Sequence, residues 1–216
     1  MSAPQAPPLM PRSPGSSPTY VGRFAPSPTG PLHFGSLVSA LGSFLDARSQ
    51  AGRWLLRIED IDTPRNVPGA ADAIIRDLER LGLYWDGVVS YQSANTARHR
   101  DLIGDLLADG AAYHCGCSRK EVGPGAYPGT CRTGLAAGKS PRSVRMLTKP
   151  GLHDFADLLQ GTYTQHLEAE VGDFVILRAD GIVAYHLAVV ADDAAAGVNH
   201  VIRGADLLDS TPRQLA

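Results

Sequence analysis

The chain has 216 residues, 44% apolar and 19% charged, with a formal net charge of −2. That length fits one large domain, or one domain with a sizeable insertion, and the apolar share can bury a core. The balance excludes a disordered chain, a coiled coil and a uniformly basic nucleic-acid coat, and no apolar run approaches the ~18 residues of a membrane span.

Met1 to Pro18 holds six prolines, one arginine and no apolar stretch, so residues 1–18 read as a disordered Pro/Ser-rich extension and not as a secretory signal. Tyr20 to Phe24 reads as a short strand, followed by the Pro/Gly-rich run Ala25 to Pro31. The spacing then predicts a helix from about Ser36, with Leu37, Leu41, Phe44 and Leu45 on one face and Gly52 as its stop. Trp54 to Ile58 is apolar enough for a buried strand, closed by Glu59, Asp60 and Asp62. A second helix is expected from about Pro68, carrying Ala71, Ile74, Ile75, Leu78 and Leu81 and stopping at Gly82. A third runs from Thr96 to about Ala108, with Leu102, Ile103, Leu106 and Leu107. This alternation predicts an α/β fold with a parallel sheet covered by helices.

From about 114 to 150 no clear periodicity is visible, and the stretch reads as inserted. Domain limits are therefore expected at 19–112, 113–150 and 151–216. Phe174 to Leu177 and Ile182 to His186 flank Asp180-Gly181, a strong short hairpin signal. His200 to Ile202 is a short apolar run, and Asp209-Ser210-Thr211-Pro212 reads as the capped start of a last helix.

Charge is segmented along the chain. Arg119 to Lys149 carries seven Lys/Arg against the single acid Glu121, whereas Pro150 to Ala216 carries ten Asp/Glu against three Arg. A basic stretch of this kind suits a polyanion, although a solvated loop is an equally simple reading. The three cysteines, Cys115, Cys117 and Cys131, all fall in this segment. An odd number without an export signal points to metal or redox chemistry in a reducing, cytoplasmic compartment. Three thiolates at short spacing suit a tetrahedral zinc site that still needs a fourth ligand, and His114 is the chemically easiest neighbour.

Between the first strand and first helix lies Pro26-Ser27-Pro28-Thr29-Gly30-Pro31-Leu32-His33-Phe34-Gly35-Ser36. A glycine beside a helix N-terminus lets backbone approach a phosphate, the helix dipole favours the negative charge, and His33 can donate to it. By this chemistry alone, a proline-stiffened turn with a surface histidine fits as well.

The order Arg23-Phe24-Ala25-Pro26-Ser27-Pro28-Thr29-Gly30 followed by His33-Phe34-Gly35-Ser36 resembles the first signature of class I aminoacyl-tRNA synthetases, in the glutamyl branch. Leu55-Leu56-Arg57-Ile58-Glu59-Asp60 is similar to that fold's second strand. Gly172 to Ile176, Asp180-Gly181 and Ala184 to Asp193 resemble its later strands, and Val201 to Leu208 the stretch closing the amino-acid pocket. The likeness covers nearly everything from Tyr20 to Ala216, and is strongest to the shortened members that lack the anticodon-binding half.

The resemblance implies a Rossmann-like catalytic domain with an inserted, zinc-containing subdomain that resembles an acceptor-binding one. It implies a monomeric, cytoplasmic ligase that activates L-glutamate with ATP and Mg²⁺ and attaches it to queuosine at the wobble position of tRNA(Asp). A fragment charging tRNA(Glu) and an inactive zinc-containing RNA-binding module are the alternatives. Catalytic positions carried over are His33, Gly35 and Ser36, and with Pro26 these would bind ATP. Arg23, Phe24, Ala25, Pro26, Ser27, Glu59, Tyr185 and Arg203 would bind glutamate, with the arginines as carboxylate forks and Glu59 facing the ammonium. Without the motif, Glu59 reads equally as a strand-end surface carboxylate and Arg203 as a solvated loop arginine. The likeness adds Tyr127 as the fourth zinc ligand beside Cys115, Cys117 and Cys131, one ion per chain. Relatives also carry a lysine-rich ATP loop further on; no such loop occurs in this sequence, so the second half of the catalytic domain is expected to be incomplete and poorly active.

Overall fold

The computed structural model describes residues 19–216; the 1–18 stretch, expected as a disordered extension, lies outside the described residues. Contacts divide the chain into two compact units. One closes at Ala94 and takes in Asp193–Gly204; the other is Asn95–Asp192 with Ala205–Ala216.

The first unit is built from β1 (Val21–Phe24), α1 (Phe34–Ser49), β2 (Arg53–Ile58), α2 (Ala70–Arg80) and β3 (Ser90–Tyr91). Its strands form one parallel sheet in the order β1-β2-β3, with Val21 opposite Arg53 and Arg57 opposite Ser90. This is the expected parallel α/β arrangement. Phe24, Trp54, Leu56 and Ile58 of the sheet pack with Ala40 and Ala47 of α1 and Ile74 and Leu78 of α2. Trp54 is fully buried, and its indole N–H donates to Ser43 Oγ at 2.9 Å, which satisfies the one polar atom it brings inside.

Two expectations for α1 are corrected. Its buried residues are Ala40, Ser43 and Ala47, whereas Leu41 and Leu45 are exposed. Small side chains let the helix backbone approach the sheet, and Trp54 with Phe44 supplies the volume. Nor is Gly52 the left-handed stop: Ala51 holds that position at φ 47°, and the Gly52 amide closes the turn on Ala47 O at 2.8 Å. Gly52 is needed for another reason. A Cβ there would stand 2.6 Å from Tyr20 Cβ and 2.7 Å from Tyr20 O. Gly82, by contrast, ends α2 as expected, at φ 73°.

The second unit begins with α3 (Thr96–Ala108), whose bounds match the sequence reading. It continues through β4 (Ala112–Cys115), α4 (Arg119–Val122), β5 (Ser143–Met146), β6 (His153–Asp157), β7 (Gly161–Gln165), α5 (Leu167–Glu170) and β8 (Val175–Leu177). α6 (Tyr185–Ala196), whose residues from Asp193 on belong to the first unit, and α7 (Thr211–Leu215) follow. β4, β5 and β8 form an antiparallel sheet, so the 114–150 stretch ends in strands and its β5 is bonded to residues well beyond 150. The unit boundaries for this reason do not fall at the composition changes near 112 and 150.

The antiparallel hairpin β6–β7 was not anticipated; its turn is held by Asp157 Oδ1, which accepts the Leu159 and Gln160 amides at 2.9 and 2.8 Å. The Asp180-Gly181 turn is present, with Gly181 at φ 80°, but its second arm is reduced to one bridge, Leu177 to Val183. From Tyr185 the chain is helical, so Ala184 to Asp193 is not a strand. The run Leu187-Ala188-Val189-Val190-Ala191 does not alternate, and its alanines favour helix. α7 starts with Pro212 in its first turn as expected, without a side-chain cap from Ser210.

Candidate active site and metal centre

β1 runs into the Pro26–Pro31 loop, and β2 ends beside it: the Glu59 amide donates to Pro26 O at 2.9 Å. Phe24 is spent on the core, stacked with Trp54 at 6.3 Å between centroids, while Ala25 and Pro26 are turned partly or wholly inward and Ser27 is exposed. His33 caps α1. Its Nδ1 accepts the Ser36 amide at 3.2 Å, and its Nε2 lies 3.0 Å from Ser36 Oγ. The ring folds back over Gly35, where a Cβ would meet it at 3.1 Å, so the glycine of this signature makes room for the histidine itself. His33 is exposed at the helix N-terminus, where the dipole favours an anion.

Arg23 and Glu59 are brought together by two residues to which the sequence assigned no role, Arg57 and Asp193. Arg23 Nε donates to Asp193 at 3.2 Å; Arg57 donates through Nη1 to Asp193 at 2.6 Å and through Nη2 to Glu59 at 3.1 Å. Arg23, Arg57 and Glu59 are all buried. Burial drives the Glu59 carboxyl above its ordinary range, against the pull of Arg57 and Arg23. Burial also works against the charge of Arg57, yet Asp193 and Glu59 hold it more basic than a free arginine. A charged residue inside the apolar run Trp54 to Ile58 was the available signal for Arg57; nothing local marks Asp193. Arg203 belongs to this same unit, whereas Tyr185 opens α6 in the other.

The cysteine cluster lies wholly in the second unit. The three sulfurs sit within 4.8 Å of one another. Tyr127 Oη is 3.4 Å from Cys115 Sγ and 3.6 Å from Cys117 Sγ, and Cys117 and Cys131 sulfurs are 3.6 Å apart. A tetrahedral zinc with bonds of about 2.3 Å to sulfur and about 2.0 Å to oxygen spaces its ligands roughly 3.5–3.8 Å apart, close to these three distances. His114 is exposed, next to buried Cys115 on β4, and strand alternation sends it to the other face. The Tyr127 hydroxyl therefore stands among the thiols, and the His114 side chain lies on the exposed side of the strand.

Side chains beyond the cluster hold it in place. Arg145 Nε donates to Cys115 Sγ at 3.3 Å, and its guanidinium lies 3.8 Å over the Tyr127 ring. Burial opposes the Cys115 thiolate, but donors from Tyr127, the Cys117 backbone and Arg145 bring it down to about 7. Gly172, at φ 69°, lets the Tyr127 backbone pass where a Cβ would be 2.4 Å from its carbonyl oxygen. The sequence reading missed Arg132, Arg145, Gly172 and Asp173 because their partners are distant in the chain.

A parallel sheet with a capped His-x-Gly-x helix, and a buried strand-end acid beside an arginine, define the catalytic domain of a class I tRNA synthetase. The chain belongs to this family: the class I tRNA synthetases (E and Q), catalytic domain, match residues 20–124 and 131–216. Among particular relatives, the glutamyl-Q tRNA(Asp) synthetase of Dechloromonas aromatica is 58% identical over 206 residues, which cover 91% of this chain and 68% of the relative. The glutamyl-Q tRNA(Asp) synthetase of Chromobacterium violaceum is 54% identical over 209 residues, 93% of this chain and 70% of the relative. A crystal structure of a glutamate tRNA ligase from Elizabethkingia meningosepticum, in complex with its amino acid, matches at a TM-score of 0.82 and 27% identity. That match covers 91% of this chain and 46% of the other. The chain thus spans about two thirds of its curated relatives and under half of the solved ligase. Among the described residues no helix is long and apolar enough to cross a membrane.

Proposed function

We propose that the protein activates L-glutamate with ATP, giving glutamyl-adenylate and pyrophosphate, and transfers the glutamyl group to queuosine at the wobble position of tRNA(Asp). The observation that carries this reading is the 58% identity to a relative of that name over 91% of the chain. Buried Arg23 and Glu59, joined through Asp193 and Arg57, support it chemically, since a guanidinium and a carboxylate in one charged chain suit the opposite charges of an amino acid.

In the first step an α-carboxylate oxygen of glutamate attacks the α-phosphorus of ATP, and the bond to the bridging oxygen breaks to release pyrophosphate. His33, Gly35 and Ser36 line the helix N-terminus that receives the phosphates. With Nδ1 accepting the Ser36 amide, His33 carries its proton on Nε2 and donates it to Ser36 Oγ, which leaves the serine proton for a phosphate oxygen. Mg²⁺ enters with ATP as part of the substrate. In the second step a hydroxyl of the queuosine ring attacks the activated carbonyl and AMP leaves. Arg203 is the candidate second carboxylate fork; the role of Tyr185 rests on family likeness alone. Zinc held by Cys115, Cys117, Cys131 and Tyr127 would fold a segment rich in Gly and Pro, which presents its lysines and arginines to tRNA.

The likeness to the solved glutamate ligase favours a second reading, glutamylation of tRNA(Glu) at its 3′ end. Radiolabelled glutamate offered by the full-length protein to tRNA(Asp), with and without queuosine, and to tRNA(Glu) separates the two once the label is mapped by nuclease digestion. Label in the anticodon fragment of queuosine-bearing tRNA(Asp) is expected. Label on the terminal adenosine of tRNA(Glu) would replace the first reading by the second. Absence of glutamate-dependent ATP–pyrophosphate exchange would leave only a zinc-containing RNA-binding module.

A further inference from the structure

Four charged groups form one buried chain in the first unit: Arg23, Asp193, Arg57 and Glu59, in that order of contact. Their side chains are 5%, 17%, 4% and 6% exposed. Two positive and two negative groups balance, which is the condition for keeping any of them charged at such burial. Both terminal nitrogens of Arg57 are committed within this chain. Its terminal nitrogens go to Asp193 and Glu59, and its Nε is buried without a partner. The outer two groups are half-committed. Arg23 uses Nε on Asp193, and Glu59 uses Oε1 on Arg57; among the described residues the Arg23 terminal nitrogens and Glu59 Oε2 meet no protein partner.

We propose that Arg57 and Asp193 are positioning residues of the amino-acid site. Asp193 orients Arg23 as a carboxylate fork, and Arg57, donating to Glu59 Oε1, holds Glu59 in place as an ammonium acceptor. Arg57 thereby sets the preference for an α-amino acid over a plain dicarboxylate, without touching the ligand. This rests on the glutamate reading above. A buried carboxylate that loses its cationic partner takes up a proton, and a neutral Glu59 holds an ammonium only weakly. Lysine does not replace Arg57, because a single ammonium point lacks the fork that spans two carboxylates.

Glutarate carries the two carboxylates of glutamate and no ammonium, so it isolates the role of Glu59. The experiment is calorimetric titration of the full-length protein, wild type and variants, with L-glutamate and with glutarate, alongside circular dichroism to confirm folding. The wild type should prefer L-glutamate by about tenfold or more. Arg57→Lys should bring that preference to within about twofold while keeping glutarate affinity within about threefold. Asp193→Asn should weaken both ligands by similar factors, about tenfold, because Arg23 serves both. Should Arg57→Lys not fold, Arg57→Gln carries the same expectation.

An Arg57 variant that keeps the wild-type preference, or loses both ligands equally, overturns the proposal; so does failure of both variants to fold, which would make Arg57 purely structural. A wild type that binds glutarate as well as L-glutamate overturns the role given to Glu59. A wild type that binds neither removes the glutamate reading itself, and the proposal with it.

Discussion

Arg132 straddles the carboxylate of Asp173, with Nε 2.7 Å from Oδ2 and Nη2 2.9 Å from Oδ1. Arg132 directly follows Cys131, and Asp173 lies two residues before β8, so this pair ties the cysteine loop to the sheet of the second unit. Asp173 is fully buried and also accepts the Tyr113 hydroxyl, the Thr148 amide at 2.9 Å and the Thr148 hydroxyl at 2.9 Å. A buried anion is tolerated because its lone pairs are filled in this way.

Asp173→Asn should therefore lower the stability of the second unit by about 1–3 kcal/mol at pH 7, since it removes the two-point charge partner of Arg132 and leaves that arginine only its 3.4 Å contact to Glu168. Burial works against the Asp173 charge, but Arg132, Tyr113 and Thr148 outweigh it and hold the carboxyl below the usual range. A depressed folded-state value means that the stabilisation is complete above the unfolded value of about 3.9 and fades as the pH falls through the folded one. Urea denaturation of wild type and variant should show the largest gap near pH 7 and a narrowing gap below about pH 4.

The cysteine cluster should hold about one zinc per chain in protein purified without added metal. Tyr127→Phe should weaken zinc binding by at least about tenfold, and His114→Ala should leave it unchanged. Mass-spectrometric metal analysis with a competing chelator reads both. Less than about a tenth of an equivalent in the wild type, with folding intact, would discard the metal centre.

The end of α1 supplies a pair of substitutions with opposite signs. Gly52→Ala puts a Cβ into Tyr20 and should cost about 1–3 kcal/mol. Ala51→Gly relieves a left-handed alanine and should add roughly 0.5–1 kcal/mol. Thermal melting of the two variants settles it: equal effects would mean the helix ends differently in solution.

His33 combines a helix cap with a contact that orients the Ser36 hydroxyl, and His33→Asn separates them. Asparagine caps helices well, so the melting temperature should stay within about 2 °C of wild type. Glutamate-dependent ATP–pyrophosphate exchange by the full-length protein should nevertheless fall about 10²–10³-fold. Unchanged exchange would assign His33 to the helix alone.

Much was legible locally. The helix periods of α2 and α3, the apolar β2 run and the His33-Phe34-Gly35-Ser36 signature are patterns over a few residues, and backbone geometry turns them directly into elements. The three cysteines stood close enough along the chain to foretell a cluster of thiols. On α1 the reading failed because the helix packs by its smallest residues, Ala40, Ser43 and Ala47, and hydrophobic periodicity counts only the large ones.

What the sequence determined by itself was therefore the parallel α/β beginning, the helix that follows the first signature and the thiol cluster. Only the tertiary structure decided which charges hold them. Arg57 finds Asp193 across 136 residues and Arg23 finds it across 170, while Arg132 finds Asp173 across 41. It likewise placed the Tyr127 hydroxyl 3.4 Å from Cys115 Sγ and left His114 exposed on the neighbouring position of β4. The reason is physical: a charge enters the interior only with its partner, and that partner is selected by how the chain packs, not by its position in the sequence.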